Sequence, residues 1–256
     1  MMYSPLLLLV GILYVQANPT TFVIGGQNAP PGSAPYHAHL NIRINAQAQE
    51  TRVGSGCLIS MNHVLTTAQN VRNFGHWNVG VGNVNRNQLQ WSQTTQSVAH
   101  QQFDPNTLNN NIAIIVLTQP FNPSANIQAI PLPLATDNQI PWPNEEGRFN
   151  GFGFTGPTGP FSEQLMMGFK RVTTDPICSQ AYPHMTPFLA NNFCALDNQQ
   201  TFCGGDQGTG LVGMVRFQTT LVGLASFTNQ QCQANIPGMF VRVATYRNWI
   251  QQQSGI

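Results

Sequence analysis

A glycine-rich stretch, Cys203-Gly204-Gly205-Asp206-Gln207-Gly208-Thr209-Gly210-Leu211, brings a thiol, a carboxylate and an amide close together in the chain. Asp206, between a glycine and Gln207, suits a turn, where its short side chain can bond nearby backbone. Gln207 offers only a primary amide, which cannot be deprotonated to a useful nucleophile and has no hydroxyl for a base to activate. The other groups able to do chemistry are six histidines (His37, His39, His63, His76, His100, His184) and five cysteines (Cys57, Cys178, Cys194, Cys203, Cys232). An imidazole titrates near neutral pH and is the usual proton shuttle. The odd cysteine count leaves one thiol free or paired between chains, and spacing alone leaves the connectivity of two bridges open. No Cys-x-x-Cys zinc pattern, phosphate loop or N-glycosylation sequon stands out.

The elements that must hold these groups are β-strands. Short apolar or alternating runs, His63–Thr66, Ile112–Leu117 and Leu221–Ala225, are bounded by Gly, Pro and Asn clusters. The 18 prolines and 23 glycines are scattered rather than gathered in one linker. Two helices are predicted: Asp175–Tyr182, with Asp175 as N-cap and Pro176 in the first turn, and a C-terminal one over Ala244–Ile250 with Tyr246, Trp249 and Ile250 on one face. With 256 residues, 41% of them hydrophobic, the chain can bury a large all-β core. Its net charge of +1 argues against a nucleic-acid binder. Only 7% of residues are charged; polarity comes from about fifty asparagines and glutamines. Lys170 is the only lysine, which fits either an alkaline or protease-rich fluid or plain compositional bias. At the N-terminus, Leu6–Leu13 followed by Val15-Gln16-Ala17 reads as a secretory signal peptide over residues 1–17. The apolar run is too short to span a bilayer, so no membrane is expected, and the compartment is extracellular and oxidising.

Several segments, in order, resemble the chymotrypsin/trypsin-like serine proteases. Val23-Ile24-Gly25-Gly26 is similar to the segment that begins the mature enzymes. Leu65-Thr66-Thr67-Ala68-Gln69-Asn70 resembles the one bearing the general base, and Leu108–Ile115 the one bearing the orienting carboxylate. Cys203–Leu211 resembles the one bearing the nucleophile, and Ser226-Phe227, Pro237–Val243 and Trp249-Ile250 resemble the closing segments. The resemblance runs through everything after residue 22. It implies two perpendicular six-stranded antiparallel β-barrels with a groove between them and a short C-terminal helix.

In a working triad a hydroxyl attacks, an imidazole takes its proton and a buried carboxylate orients the imidazole. The resemblance puts Gln69, Asn111 and Gln207 at those positions, so the expectation is a catalytically inactive homologue with no catalytic residue and no cofactor. It also puts Gly205 at the oxyanion-hole position. Thr201 falls at the base of the primary pocket, Ser226, Phe227 and Thr228 on the peptide-receiving strand, Thr228 narrowing the rim and Gly238 leaving the opposite wall open. It further implies bridges Cys178–Cys194 and Cys203–Cys232. A third family bridge is absent because its positions are Gly54 and Asn70, which makes Cys57 the free thiol. Residues 18–22 form a short pro-segment without a basic residue. Cleavage after Phe22 would free Val23 to pair with Asp206 in a domain spanning 23–256. The loop Trp77–Asn83 lacks acidic ligands, so neither calcium nor another metal is expected. Such inactive homologues are familiar in arthropod gut fluid and haemolymph. The implied function is therefore a secreted protein-binding or regulatory factor, engaging a protease, an inhibitor or a substrate of related proteases. The alternative is an abundant structural or storage protein of a secretion.

Overall fold

The computed structural model describes residues 24–50 and 52–256; the expected signal peptide, the pro-segment and Val23 lie outside the described residues. The first half of the chain forms β1 (Gln27–Asn28), β2 (His37–Arg43), β3 (Arg52–Ser60), β4 (His63–Thr66), β5 (His76–Val81), β6 (Gln90–Thr94), β7 (Gln96–Ala99) and β8 (Ala113–Val116). The second half forms β9 (Glu146–Gly151), β10 (Met166–Val172), β11 (Asn192–Leu196), β12 (Gly210–Val215), β13 (Gln218–Phe227) and β14 (Gly238–Arg242). Helices α1 (Asp175–Ala181) and α2 (Arg247–Ser254) complete it.

The second sheet runs β1-β10-β11-β14-β13-β12-β9, and β9 pairs back onto β10, closing a six-stranded barrel with β1 on its outside. The first runs β6-β5-β2-β3-β4-β8-β7 and stays open between β6 and β7 as a half-barrel. Those two strands are consecutive in the chain, with Thr95 alone between them. Even the tight hairpins need two loop residues, so β6 and β7 cannot fold back on each other. The chain itself bridges the gap that a ladder would otherwise close.

The apolar runs follow from two-sided burial. Along β8 and its flanks, Ile112 and Ile114 face a cluster at the seam between the barrels, while Ala113, Ile115 and Leu117 face the core of the first. Successive strand residues point to opposite faces, so a strand buried on both sides reads as one continuous apolar run. β3 and β4 divide the same way: Cys57, Ile59 and Leu65 meet the seam, Leu58 and Val64 the first core. From the other barrel, Val212, Leu221, Leu224 and Val241 complete the seam, and Trp249 and Ile250 of α2 close it.

Both helices shift from their expected bounds. α1 takes Thr174, not Asp175, as its N-cap. A 3-10 turn over Val243–Tyr246 precedes α2, which runs on to Ser254 and stops at Gly255, φ 75°. A glycine accepts that left-handed cap without a Cβ penalty.

Disulfides join Cys178 to Cys194 and Cys203 to Cys232, and Cys57 is a buried free thiol. Gly54 and Asn70 hold the seam by a different means. The Asn70 side chain packs onto Gly54, where a Cβ would stand 2.7 Å from Nδ2 and 2.8 Å from Cγ. From there Asn70 Nδ2 donates to Thr66 Oγ1 (3.1 Å) and, across the seam, to the Gln207 carbonyl (2.7 Å). Gly54→Ala should therefore cost about 1–3 kcal/mol of overpacking in urea denaturation. Adding Asn70→Ala should recover part of that loss, since the two side chains contend for one space. Simple additivity would contradict this packing.

Candidate functional site

The groove positions converge where the barrels meet. Gln69 sits in a 3-10 turn, Ala68–Asn70, directly after β4, and Asn111 lies just before β8, fully buried. Because β4 and β8 pair through Thr66 and Ala113, these two end up side by side. The Gln69 backbone N–H donates to Asn111 Oδ1 (3.0 Å), and Asn111 Nδ2 donates to Ser226 Oγ (2.8 Å). Gln69 Nε2 reaches the Ser226 carbonyl (2.6 Å). Two amides thus lock onto the end of β13 and take up both a side-chain and a main-chain acceptor there. Asn111 uses both its amide acceptor and its amide donor and Gln69 its amide donor, groups that an amide carries at any pH, and neither side chain can move a proton.

Gln207 completes the constellation through a different contact. Its Oε1 accepts the Gly205 N–H at 3.0 Å. Gly205, φ 93°, adopts a conformation that only glycine takes without strain, and its carbonyl accepts Ser55 Oγ (3.0 Å). The Gln207 carbonyl accepts both Ser55 N–H (2.9 Å) and Asn70 Nδ2 (2.7 Å). The N–H that the resemblance places at the oxyanion position is therefore engaged by the residue two places along. Among the described residues, no imidazole is a hydrogen-bond partner of Gln69, Asn111 or Gln207. His63 instead faces Ser60 Oγ at 2.9 Å.

Asp206 is wholly buried. Its oxygens accept the N–H groups of Gly153 (2.8 Å) and Cys203 (3.0 Å), and no cation pairs with it among the described residues. Desolvation dominates and pushes its pKa up to about 7, the two backbone donors pulling the other way. Val23, its expected partner, lies outside the described residues.

The primary pocket differs from the expectation. Thr201 and Gly238 are sealed from solvent, and so is Phe202 between them in the fold. A Cβ on Gly238 would stand 3.0 Å from Phe202 Cζ and closer still to Cε1. The ring packs edge-on to Phe240 (5.3 Å between centroids) and belongs to the second barrel's core. Gly238 does not leave an open wall: its missing side chain is the space the Phe202 ring fills. Phe227 is covered in turn by Tyr182, 5.0 Å away edge-on, and by His184, stacked at 6.2 Å. A groove of about 480 Å³ borders Gln207, lined also by Arg52, Val53, Phe154, Phe161, Gly204 and Gly205. Phe154 and Phe161 stack at 4.4 Å to form one wall.

A sequence profile for trypsin matches residues 23–250. The chain belongs to the trypsin family. Trypsin of Sus scrofa is 28% identical over 233 residues, covering 90% of this chain and 94% of that protein. Chymotrypsin of Phaedon cochleariae is 25% identical over 247 residues, covering 93% and 84%. Transmembrane protease serine 11G of Rattus norvegicus is 25% identical over 91% of this chain, a match that spans 56% of that protein's own length. A collagenase structure at 1.7 Å resolution superposes with a TM-score of 0.82 at 26% identity, over 91% of this chain and 99% of that one.

Within this trypsin-family frame, the residue that sequence reasoning missed is Phe202. Its signal was an aromatic beside Thr201, opposite a glycine at 238, but the direction of its ring depends on barrel packing. The Phe154–Phe161 wall was equally invisible, since its members approach only across an isolated bridge between two loop residues.

Asp206 predicts a pH dependence. A carboxyl ionises near 3.9 in an unfolded chain, so a folded value of about 7 means that the native state keeps a proton the unfolded state has released. That stabilisation is complete below about pH 4 and is lost as pH rises through 7, in total on the order of 4 kcal/mol. Urea midpoints of the uncleaved chain should fall between about pH 4 and 7, and Asp206→Asn should flatten the fall. A free Val23 ammonium at Asp206 would flatten it too. A wild-type profile parallel to that of Asp206→Asn would refute the raised pKa.

Proposed function

We propose that this trypsin-family chain is a secreted, non-catalytic member that binds a partner protein through what remains of the substrate groove. The observation that carries the reading is Gln207, whose side chain lacks a nucleophile and also occupies the Gly205 N–H. Oxyanion-hole donors stabilise the charge that develops in acyl transfer, and they act only when free to point at it. Gln69 and Asn111 support the same reading, because their amides form a static lattice with Ser226 in place of a proton path. Phe202 adds a third element by filling the primary pocket. The remaining groove beside Phe154 and Phe161 is the surface on which a protease, an inhibitor or a protease substrate would dock. Two disulfides suit an oxidising fluid, and the single lysine, Lys170, is buried with Nζ donating to the Gln200 carbonyl at 2.9 Å.

The reading orders the lesions. A Gln69→His, Asn111→Asp, Gln207→Ser variant should be labelled by a fluorophosphonate probe, which needs no primary pocket, with a gain of at least about 10³-fold over wild type. Peptide turnover should appear only once Phe202→Ser is added. A triple variant that folds, by circular dichroism, yet stays unlabelled would remove these three positions from the role assigned to them.

A further inference from the structure

Strand β2 carries two histidines on one face. His37 and His39 alternate with Ala38, Leu40 and Ile42, which enter the core of the first barrel. The imidazoles therefore turn the other way, onto Phe152, which lies just past β9 in the second barrel. Its ring centroid is 5.7 Å from that of His37 and 5.5 Å from that of His39, while Trp91 of β6 meets His39 edge-on at 6.0 Å. His37, His39 and Phe152 are 4%, 1% and 1% exposed. Among the described residues, Nδ1 and Nε2 of His37 and Nδ1 of His39 have no hydrogen-bond partner. A neutral imidazole has one N–H to satisfy and an imidazolium two, and a buried cation without an acceptor costs far more than a buried neutral ring. No carboxylate acts on either ring. Their register partners on β3 are Cys57 and Ser55, and Gly80 of β5 lies beside His39. The charge that acts on His39 is that of Arg86, itself a cation, while Glu50 is drawn to Arg43 and Arg86.

Phe152 also begins the segment that shapes the groove. The next residue, Gly153, donates its N–H to Asp206 (2.8 Å). After it Phe154, its N–H bonded to the Gly204 carbonyl (2.8 Å), stacks on Phe161 as the groove wall. We infer that His37 and His39 are an acid-sensitive latch: in acid the pair takes up protons by releasing Phe152, and segment 152–154 then withdraws the Phe154 wall, so that docking in the groove is confined to neutral or alkaline fluid. The docking half of this inference rests on the function proposed above; the latch does not. Burial holds the His37 imidazole down to about 3, with His39 adding to the effect. Burial and Arg86 hold His39 down to about 4, a hydrogen bond with Asn41 pulling the other way. Released rings would titrate near 6.5. The open form thus binds more protons than the closed one, and the closed form loses ground as pH falls below about 6.5. Asp206 works in the opposite sense, because its raised pKa favours the closed form in acid.

The test is backbone hydrogen exchange of the full chain, read by mass spectrometry and corrected for the intrinsic pH dependence of exchange. Wild type is compared with a His37→Gln, His39→Gln variant, so that the contribution of Asp206 cancels in the ratio. Between pH 7 and 5 the opening constant of peptides containing Phe152 should rise in wild type relative to the variant. The expected rise is ~20-fold for each imidazole released and so ~400-fold for the pair. Each single variant should keep ~20-fold of it. Proton NMR of the wild-type imidazoles gives a second readout that needs no variant: both rings should stay neutral for as long as the Phe152 peptides are protected. The latch is overturned if wild type and double variant open in parallel from pH 7 to 5, or if either ring charges near pH 6.5 while those peptides stay protected. Protection lost evenly across both barrels would be global acid unfolding and would overturn it too. No partner enters the measurement, so a failure of the docking reading would leave these results standing.

Discussion

The backbone carbonyl of Gln207 is where the two barrels are tied, for it accepts the Ser55 N–H and the Asn70 amide from the first barrel at the same time. Everything around the groove is set by that junction. It fixes the Gly205–Gly208 turn, and the turn in turn determines where the Gln207 side chain can reach. Gly208, φ 92°, allows the close approach: a Cβ there would collide with the Ser55 carbonyl and Thr66 Oγ1. Where the family resemblance places a disulfide at positions 54 and 70, a buried amide on a glycine supplies the cross-link. A hydrogen bond of this kind contributes about 1 kcal/mol net, but leaving a buried partner unpaired costs more, so the network holds as a unit.

On the function proposed above, amides are what let a protease-shaped groove persist without protease chemistry. An isolated buried carboxylate or imidazolium must be paired or neutralised, whereas an amide meets a donor and an acceptor with no charge to desolvate. Asn111, fully buried, joins Gln69 to Ser226 in this way at no electrostatic cost. The one retained charge-bearing group, Asp206, shows the contrast: desolvation lifts it to about 7 despite two backbone donors.

The strand pattern was legible because two-sided burial writes itself into composition. The run around Ile112–Leu117 is continuous since its alternate residues enter two different cores. His63–Thr66 coincides with β4, bounded by turns on both sides. Other features depend on distance in space. Periodicity carries no information on β6 and β7 running end to end, nor on Phe202 turning inward to fill the void at Gly238. The positions of Gln69, Asn111 and Gln207 could be placed by resemblance, but their hydrogen bonds could not. A glutamine at 207 says that a hydroxyl is missing; only the fold brings its Oε1 to the Gly205 N–H.

Cys57 is a free thiol within the seam, and it is poorly suited to act as a nucleophile. Burial pushes its thiol up to about 12, and a Cβ on Gly210 would stand 2.6 Å from its sulfur. A thiol with that pKa is almost wholly protonated at neutral pH, and the thiolate is the reactive form. The central claim, that the groove keeps its shape without a nucleophile, is tested most directly on the native protein. Purified wild type, with its N-terminus defined by mass spectrometry, would be exposed to a fluorophosphonate probe and a broad panel of peptide substrates. The account predicts no labelling and no turnover above buffer. Labelling or turnover that disappears on changing one residue of this chain would contradict it.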